Sequence, residues 1–188
     1  MPVLPRPLPD VVHERAQRTP EQVGYRFWRS SREPLEELTY AELQRRVEAV
    51  AAHLRQAGLA GQRLAIVHDD IRELLVATLA SMAIGSTAVP LPPPTRPRQL
   101  PRVLAVIDDC DAAAVLCTRR LLGQLLARGG ASEMQRGSLA WLATDDLEGP
   151  RCPGGRARTW PRRAGSRSFN TPRGPRPSLA ASGSLTTT

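Results

Sequence analysis

Three imidazoles, three thiols and the adjacent carboxylates Asp108-Asp109 and Asp145-Asp146 are the residues of this 188-residue chain that invite a chemical reading first. Cys110, Cys117 and Cys152 form no C-x-x-C pair and no zinc-ligand spacing. They read as small buried or spare thiols of a reducing cytoplasm. His53 falls in the middle of a helical pattern, where a surface or boundary imidazole is the default. His68 ends an apolar stretch just before Asp69 and Asp70. The carboxyl end of a strand is where open α/β sheets bind ligands, yet a helix-capping and packing role outweighs a catalytic one there. Asp108-Asp109 and Asp145-Asp146 are neighbours whose side chains diverge, so each pair reads as solvated turn residues rather than a metal site. The chain has no G-x-x-x-x-G-K-[ST], no G-x-G-x-x-G after a strand, no H-E-x-x-H and no G-x-S-x-G. No residue is assigned as catalytic, cofactor-binding or metal-ligating.

The elements that hold these groups follow from apolar periodicity. A short helix is predicted over residues 10–18, with Val11, Val12 and Ala16 inward and Thr19-Pro20 stopping it. Residues 23–28 read as a strand, with Val23, Tyr25 and Phe27 on one face. A turn at 30–34 returns the chain through 35–38 as its hairpin partner. Thr39-x-x-Glu42 is a capping-box pattern. Behind it Leu43, Val47, Val50, Ala51 and Leu54 recur at helical spacing, and Gly58 suits the left-handed stop. Strands are predicted at 63–68, 86–91, 113–117 and 139–142. Asp70-x-x-Glu73 can cap a second helix running to about Gly85, and further helices are predicted at 99–108 and at 121–128. Short, nearly all-apolar strands alternating with helices of crossover length imply parallel βαβ units.

Charge divides the chain in two. Apolar residues make up 41% and charged residues 23%, which is globular composition. All 26 cations are arginines, and the net charge is +8. Residues 1–148 hold 18 Arg against 18 acids, whereas residues 149–188 hold 8 Arg and no acid. A partial globular domain over 1–148 and a disordered Arg/Pro-rich tail over 149–188 are therefore expected. Prolines in the first ten residues interrupt any signal-peptide core. Residues 74–95 carry no charge, but Gly85 and the run Pro92-Pro93-Pro94 break them into a buried helix, a turn and a strand rather than a span. No membrane span is expected, and the cytoplasm is the expected location.

Five segments in order carry a family resemblance. They are Glu14-Arg-Ala-Gln-Arg-Thr-Pro20, Leu38-Thr-Tyr-Ala-Glu-Leu43 with its long helix, and Gly58-Leu-Ala-Gly-Gln-Arg63 before a strand. Gly85-Ser-Thr-Ala-Val-Pro-Leu-Pro-Pro-Pro94 and Trp141-Leu-Ala-Thr-Asp145 complete the set. With this order and spacing, residues 10–147 resemble the N-terminal part of the adenylate-forming ligases. Val-Pro followed by a proline run is similar to the fatty-acyl-AMP ligases and to the loading domains of polyketide and nonribosomal peptide synthetases. The resemblance implies an α/β fold, the incomplete N-terminal part of the ligase fold. It implies a family that uses ATP and Mg²⁺ to turn a fatty acid into an acyl-adenylate and pyrophosphate, then passes the acyl group to an acyl carrier protein. The family's phosphate loop, ribose-binding acid and catalytic lysine lie downstream. None has a counterpart at a numbered position here, and the chain contains no lysine. No cofactor is therefore expected on this chain itself, and an inactive fragment is.

The phosphate loop of the resembled family, Tyr-Thr-Ser-Gly-Ser-Thr, belongs soon after residue 147. Back-translating residues 168–188 and reading one base earlier permits Leu-Gln-Tyr-Thr-Ser-Gly-Ser-Thr-Ala-Gln-Pro-Arg-Gly-Val-Arg-Val-Ser-His-Asp-Asn. At the junction of Phe169 and Asn170 the shifted codon is Gln or a stop. One lost base, or two gained, between residues 147 and 168 is the expectation this raises. The contrasting reading is a non-enzymatic α/β protein with a basic arm that binds nucleic acid weakly and without sequence preference. A third, an interaction domain without chemistry, has no specific residue behind it.

Overall fold

The computed structural model describes residues 6–28, 36–127, 134, 139–145 and 147. The tail expected to be disordered, the turn at 30–34, Asp146 and Cys152 lie outside them.

Helix α1 (Leu8–Arg18) begins two residues before the predicted start. Prolines cause the difference: Pro7 is the N-cap and Pro9 stands in the first turn, where a missing N–H costs nothing. Val12 is buried as expected, but Val11 is exposed, so the inward stripe is narrower than predicted. Strands β1 (Val23–Phe27) and β2 (Glu36–Thr39) form an antiparallel pair. Tyr25 and Phe27 stack at 6.3 Å on its inner face, while Trp28 lies outside the strand and exposed.

Helix α2 (Tyr40–Gln56) starts with the capping box in full. The Glu42 N–H donates to Thr39 Oγ1 at 3.2 Å, and the Thr39 N–H donates to Glu42 Oε2 at 3.0 Å. Leu43, Val47, Val50, Ala51 and Leu54 are all buried along one stripe. Gly58, with φ +72°, follows in the left-handed region that ends the helix without strain.

A parallel four-stranded sheet is the centre of the molecule. Its strands are β3 (Arg63–Val67), β4 (Thr87–Pro90), β5 (Ala114–Cys117) and β6 (Ala140–Ala143), in the order β4-β3-β5-β6. The registers pair Leu64 with Ala88 and Ala114, and Ala114 with Ala140. Helices α3 (Ile71–Ala83), α4 (Leu100–Asp109) and α5 (Arg119–Ala127) make the crossovers. Helix α5 starts two residues earlier than predicted.

Alternate residues of β3 and β5 face opposite cores, which is why both strands read as unbroken apolar runs. Leu64, Ile66, Ala114 and Leu116 pack with α1, α2, α3 and the β1–β2 pair. Ala65, Val67, Val115 and Cys117 pack with α4 and α5. The uncharged stretch at 74–95 resolves as foreseen into α3, a turn at Gly85 (φ +75°) and β4. No helix among the described residues is long and apolar enough to cross a membrane.

Candidate functional site at the carboxyl edge of the sheet

Strands β3 and β5 are parallel neighbours whose chains leave in opposite directions. β3 feeds α3 on one face, and β5 feeds α5 on the other. Such a switch point opens a crevice outside the carboxyl ends of the strands, the usual ligand position in open α/β sheets. The residues that meet there are His68, Asp69 and Asp70 after β3, Thr118, Arg119 and Arg120 after β5, and Thr144 and Asp145 after β6.

Their hydrogen bonds are directed at one another. Thr118 Oγ1 donates to Asp69 Oδ1 at 2.8 Å, and the Arg120 guanidinium meets Asp69 Oδ2 at 2.6 Å. Thr118 Oγ1 also accepts from the Leu121 N–H at 3.1 Å, which caps α5. Asp145 Oδ1 accepts from the Arg119 N–H at 2.8 Å in the same turn. Asp70 Oδ1 accepts from the Arg72 and Glu73 N–H groups at 2.8 and 3.3 Å, capping α3. Three side chains thus take up helix N–H groups that would otherwise attract an anion.

His68 is 4% exposed and Thr144 3% exposed, with Nε2 of one 3.3 Å from Oγ1 of the other. A hydroxyl beside an imidazole is the start of a nucleophile–base pair, but the third member is missing. His68 Nδ1 has no partner among the described residues, and the carboxylates that could orient the ring are engaged elsewhere. Burial pushes the His68 pKa down to about 4, against the opposing pull of Asp145, Asp69 and Asp70. At neutral pH the ring is therefore uncharged and a poor proton acceptor. Behind it Glu73 is 8% exposed and meets Arg46 at 3.2 Å and Arg72 at 3.3 Å. Burial raises its pKa, while the two guanidinium groups pull it down. Arg72 also reaches Glu36 at 3.1 Å, tying β2 to α3.

One sequence expectation needs correction. His68 packs as foreseen but caps no helix, because Asp70 has that position. Asp145 is a half-exposed turn residue, as expected, and its carboxylate also caps the start of α5. Asp108 and Asp109 are exposed at the end of α4, as expected. His53 is half-buried on α2, far along the chain from the cluster. Cys110 and Cys117 are free thiols, the second buried with its pKa pushed up to about 12. Thr118 and Thr144 were not singled out by sequence reasoning. They meet Asp69 and His68 across 49 and 76 residues of chain, and no local pattern signals such a contact.

The cluster does not suit a magnesium–triphosphate. No group of three or more His, Cys, Asp or Glu among the described residues is arranged to hold a metal ion. The start of α3 is taken by Asp70, and that of α5 by Thr118 and Asp145. What the geometry does is lock three strand ends and two helix starts together.

Comparison with known proteins gives the wider setting. Residues 12–154 match the AMP-binding enzyme family. The long-chain-fatty-acid–AMP ligase FadD26 of Mycobacterium tuberculosis is 29% identical over 156 residues, covering 80% of this chain and 27% of that protein. A medium-chain-fatty-acid–[acyl-carrier-protein] ligase, JamA of Moorena producens, is 23% identical over 141 residues, 73% of this chain and 24% of its own length. The crystal structure of a fatty acid AMP ligase from Legionella pneumophila shares the fold with a TM-score of 0.65 at 24% identity, over 75% of this chain and 24% of that one. The chain thus spans about a quarter of the length of these relatives.

Proposed function

The chain belongs to the AMP-binding enzyme family, and from that membership we propose that it is the N-terminal portion of a fatty-acyl-AMP ligase-like enzyme, inactive as a 188-residue chain. The observation that carries this reading is the extent of the match: residues 12–154 include every described element from the body of α1 to β6. The whole enzyme would join a fatty carboxylate to the α-phosphate of ATP, release pyrophosphate and hold an acyl-adenylate. The acyl group would then pass to an acyl carrier protein, a partner named for the similar JamA ligase. Stabilising the charge that develops on phosphate takes aimed backbone N–H groups, a metal ion or a cation. The helix starts at the carboxyl edge, those of α3 and α5, are already capped, and the chain has no lysine. Its part is that of scaffold. The free thiols Cys110 and Cys117 fit the cytoplasmic placement proposed with this reading.

The test is pyrophosphate release from ATP and a series of fatty acids, with hydroxylamine to trap acyl-adenylate. The 188-residue chain should give none. A protein translated with the shifted frame restored, to its full length, should turn over. Trapped hydroxamate from the 188-residue chain would overturn the proposed inactivity.

A further inference from the structure

We propose that residues 149–188 are read out of phase with the coding frame of their gene, the register being lost at or just after Glu148. The in-phase message there encodes a glycine-, serine- and threonine-rich loop able to hold phosphate groups. The identity of that loop rests on the ligase reading above; the loss of phase does not.

The genetic code carries the first part. In a GC-rich coding sequence the third codon base drifts freely to G or C. An all-arginine cation set without a single lysine marks such a sequence. Reading out of phase by one base turns those third bases into second bases. Codons with G or C in second place specify only Ser, Pro, Thr, Ala, Cys, Trp, Arg and Gly. Of the last 40 residues, 36 come from this set, the exceptions being Phe169, Asn170, Leu179 and Leu185. The first 20 of them, residues 149–168, are an unbroken run. Before Glu148 no such run exceeds seven residues, at 92–98. The boundary therefore falls at Glu148.

The same rule accounts for the charge. Asp and Glu codons have A in second place and are excluded, while arginine is favoured. The basic tail needs no anionic partner to explain it. An arm selected for charge has no reason to exclude Val, Ile, Gln, His and Tyr as well, and residues 149–188 contain none of them.

The second part is the content of the neighbouring frame. Residues 168–188 read one base earlier permit an open frame that includes Tyr-Thr-Ser-Gly-Ser-Thr. Consecutive small residues present backbone N–H and hydroxyl donors to phosphate oxygens. The family match ends at residue 154, a few residues beyond the boundary set by composition.

Two measurements decide it. The first is sequencing of the locus across codons 140–190 from cells of the source organism. The second is mass spectrometry of tryptic peptides from the native protein. We expect the shifted frame to stay open well past codon 188, and a peptide containing Tyr-Thr-Ser-Gly-Ser-Thr to be recovered from a longer product. A stop codon in the shifted frame would overturn the inference, and Phe169–Asn170 is one place to look. Recovery of the 168–173 peptide, Ser-Phe-Asn-Thr-Pro-Arg, from a product of 188 residues would do the same. A longer product that releases no pyrophosphate with any fatty acid would leave the frame assignment standing and remove the ligase reading instead.

Discussion

The His68 imidazole is buried against Thr144 at a strand end surrounded by aspartates, and desolvation dominates its behaviour. A histidine whose folded pKa lies below its ordinary value favours the folded state while neutral. Its contribution is complete above about pH 6.5 and is lost as pH falls toward its folded pKa of about 4. The window of loss is thus roughly pH 6.5 to 4, and its size on the order of 3 kcal/mol. Buried Glu73, with its raised pKa, works in the opposite sense near the carboxylate range. Urea midpoints should fall between pH 7 and 4.5 in the native protein and stay nearly level in His68→Gln; equal slopes in the two would remove His68 as the cause. Cys117 makes a different prediction from the same burial. With its pKa pushed up to about 12 it has almost no thiolate at neutral pH. Iodoacetamide should modify half-buried Cys110 in the folded protein, and Cys117 only in denaturant. Peptide mapping at both conditions checks this.

Helix starts show which elements can be read locally and which cannot. Removing the Thr39 hydroxyl breaks both arms of a capping box, so Thr39→Ala should cost about 1 kcal/mol in a denaturant melt. Asp145→Ala should cost a similar amount and lower hydrogen-exchange protection in the first turn of α5, with α2 unchanged. Only the first of these caps is visible in sequence. Thr39 and Glu42 are three residues apart and announce the helix behind them. Asp145 caps a helix 26 residues earlier, once β6 has docked beside β5. The parallel strands were likewise plain from their apolar runs, and the turn at Gly85 from its glycine. The order β4-β3-β5-β6 was not, because periodicity records which residues are buried and not which strand lies next to which. The carboxyl-edge cluster depends on that order, so its members His68, Thr118 and Thr144 could not be grouped beforehand.

At the scale of the whole chain, the two cores, among the described residues, run from Val12 to Leu147. Deleting residues 149–188 should therefore change stability by less than about 0.5 kcal/mol. It should also abolish weak DNA binding, which for the full chain should fall steeply between 50 and 200 mM salt, in order-of-magnitude accord with contacts made by charge alone. A large drop in the melt would show that the tail supports the fold, and salt-resistant binding would show a built recognition surface. The strand order has a further consequence, for a chain that emerges from the ribosome N-terminus first. β3 appears first and β4 pairs with it; β5 then joins the free side of β3, and β6 the free side of β5. Each newly made strand meets an open edge, and none must be threaded between two already joined. The sheet can therefore assemble in the order of its synthesis, and every strand from β3 to β6 has been made before the ribosome reaches codon 148.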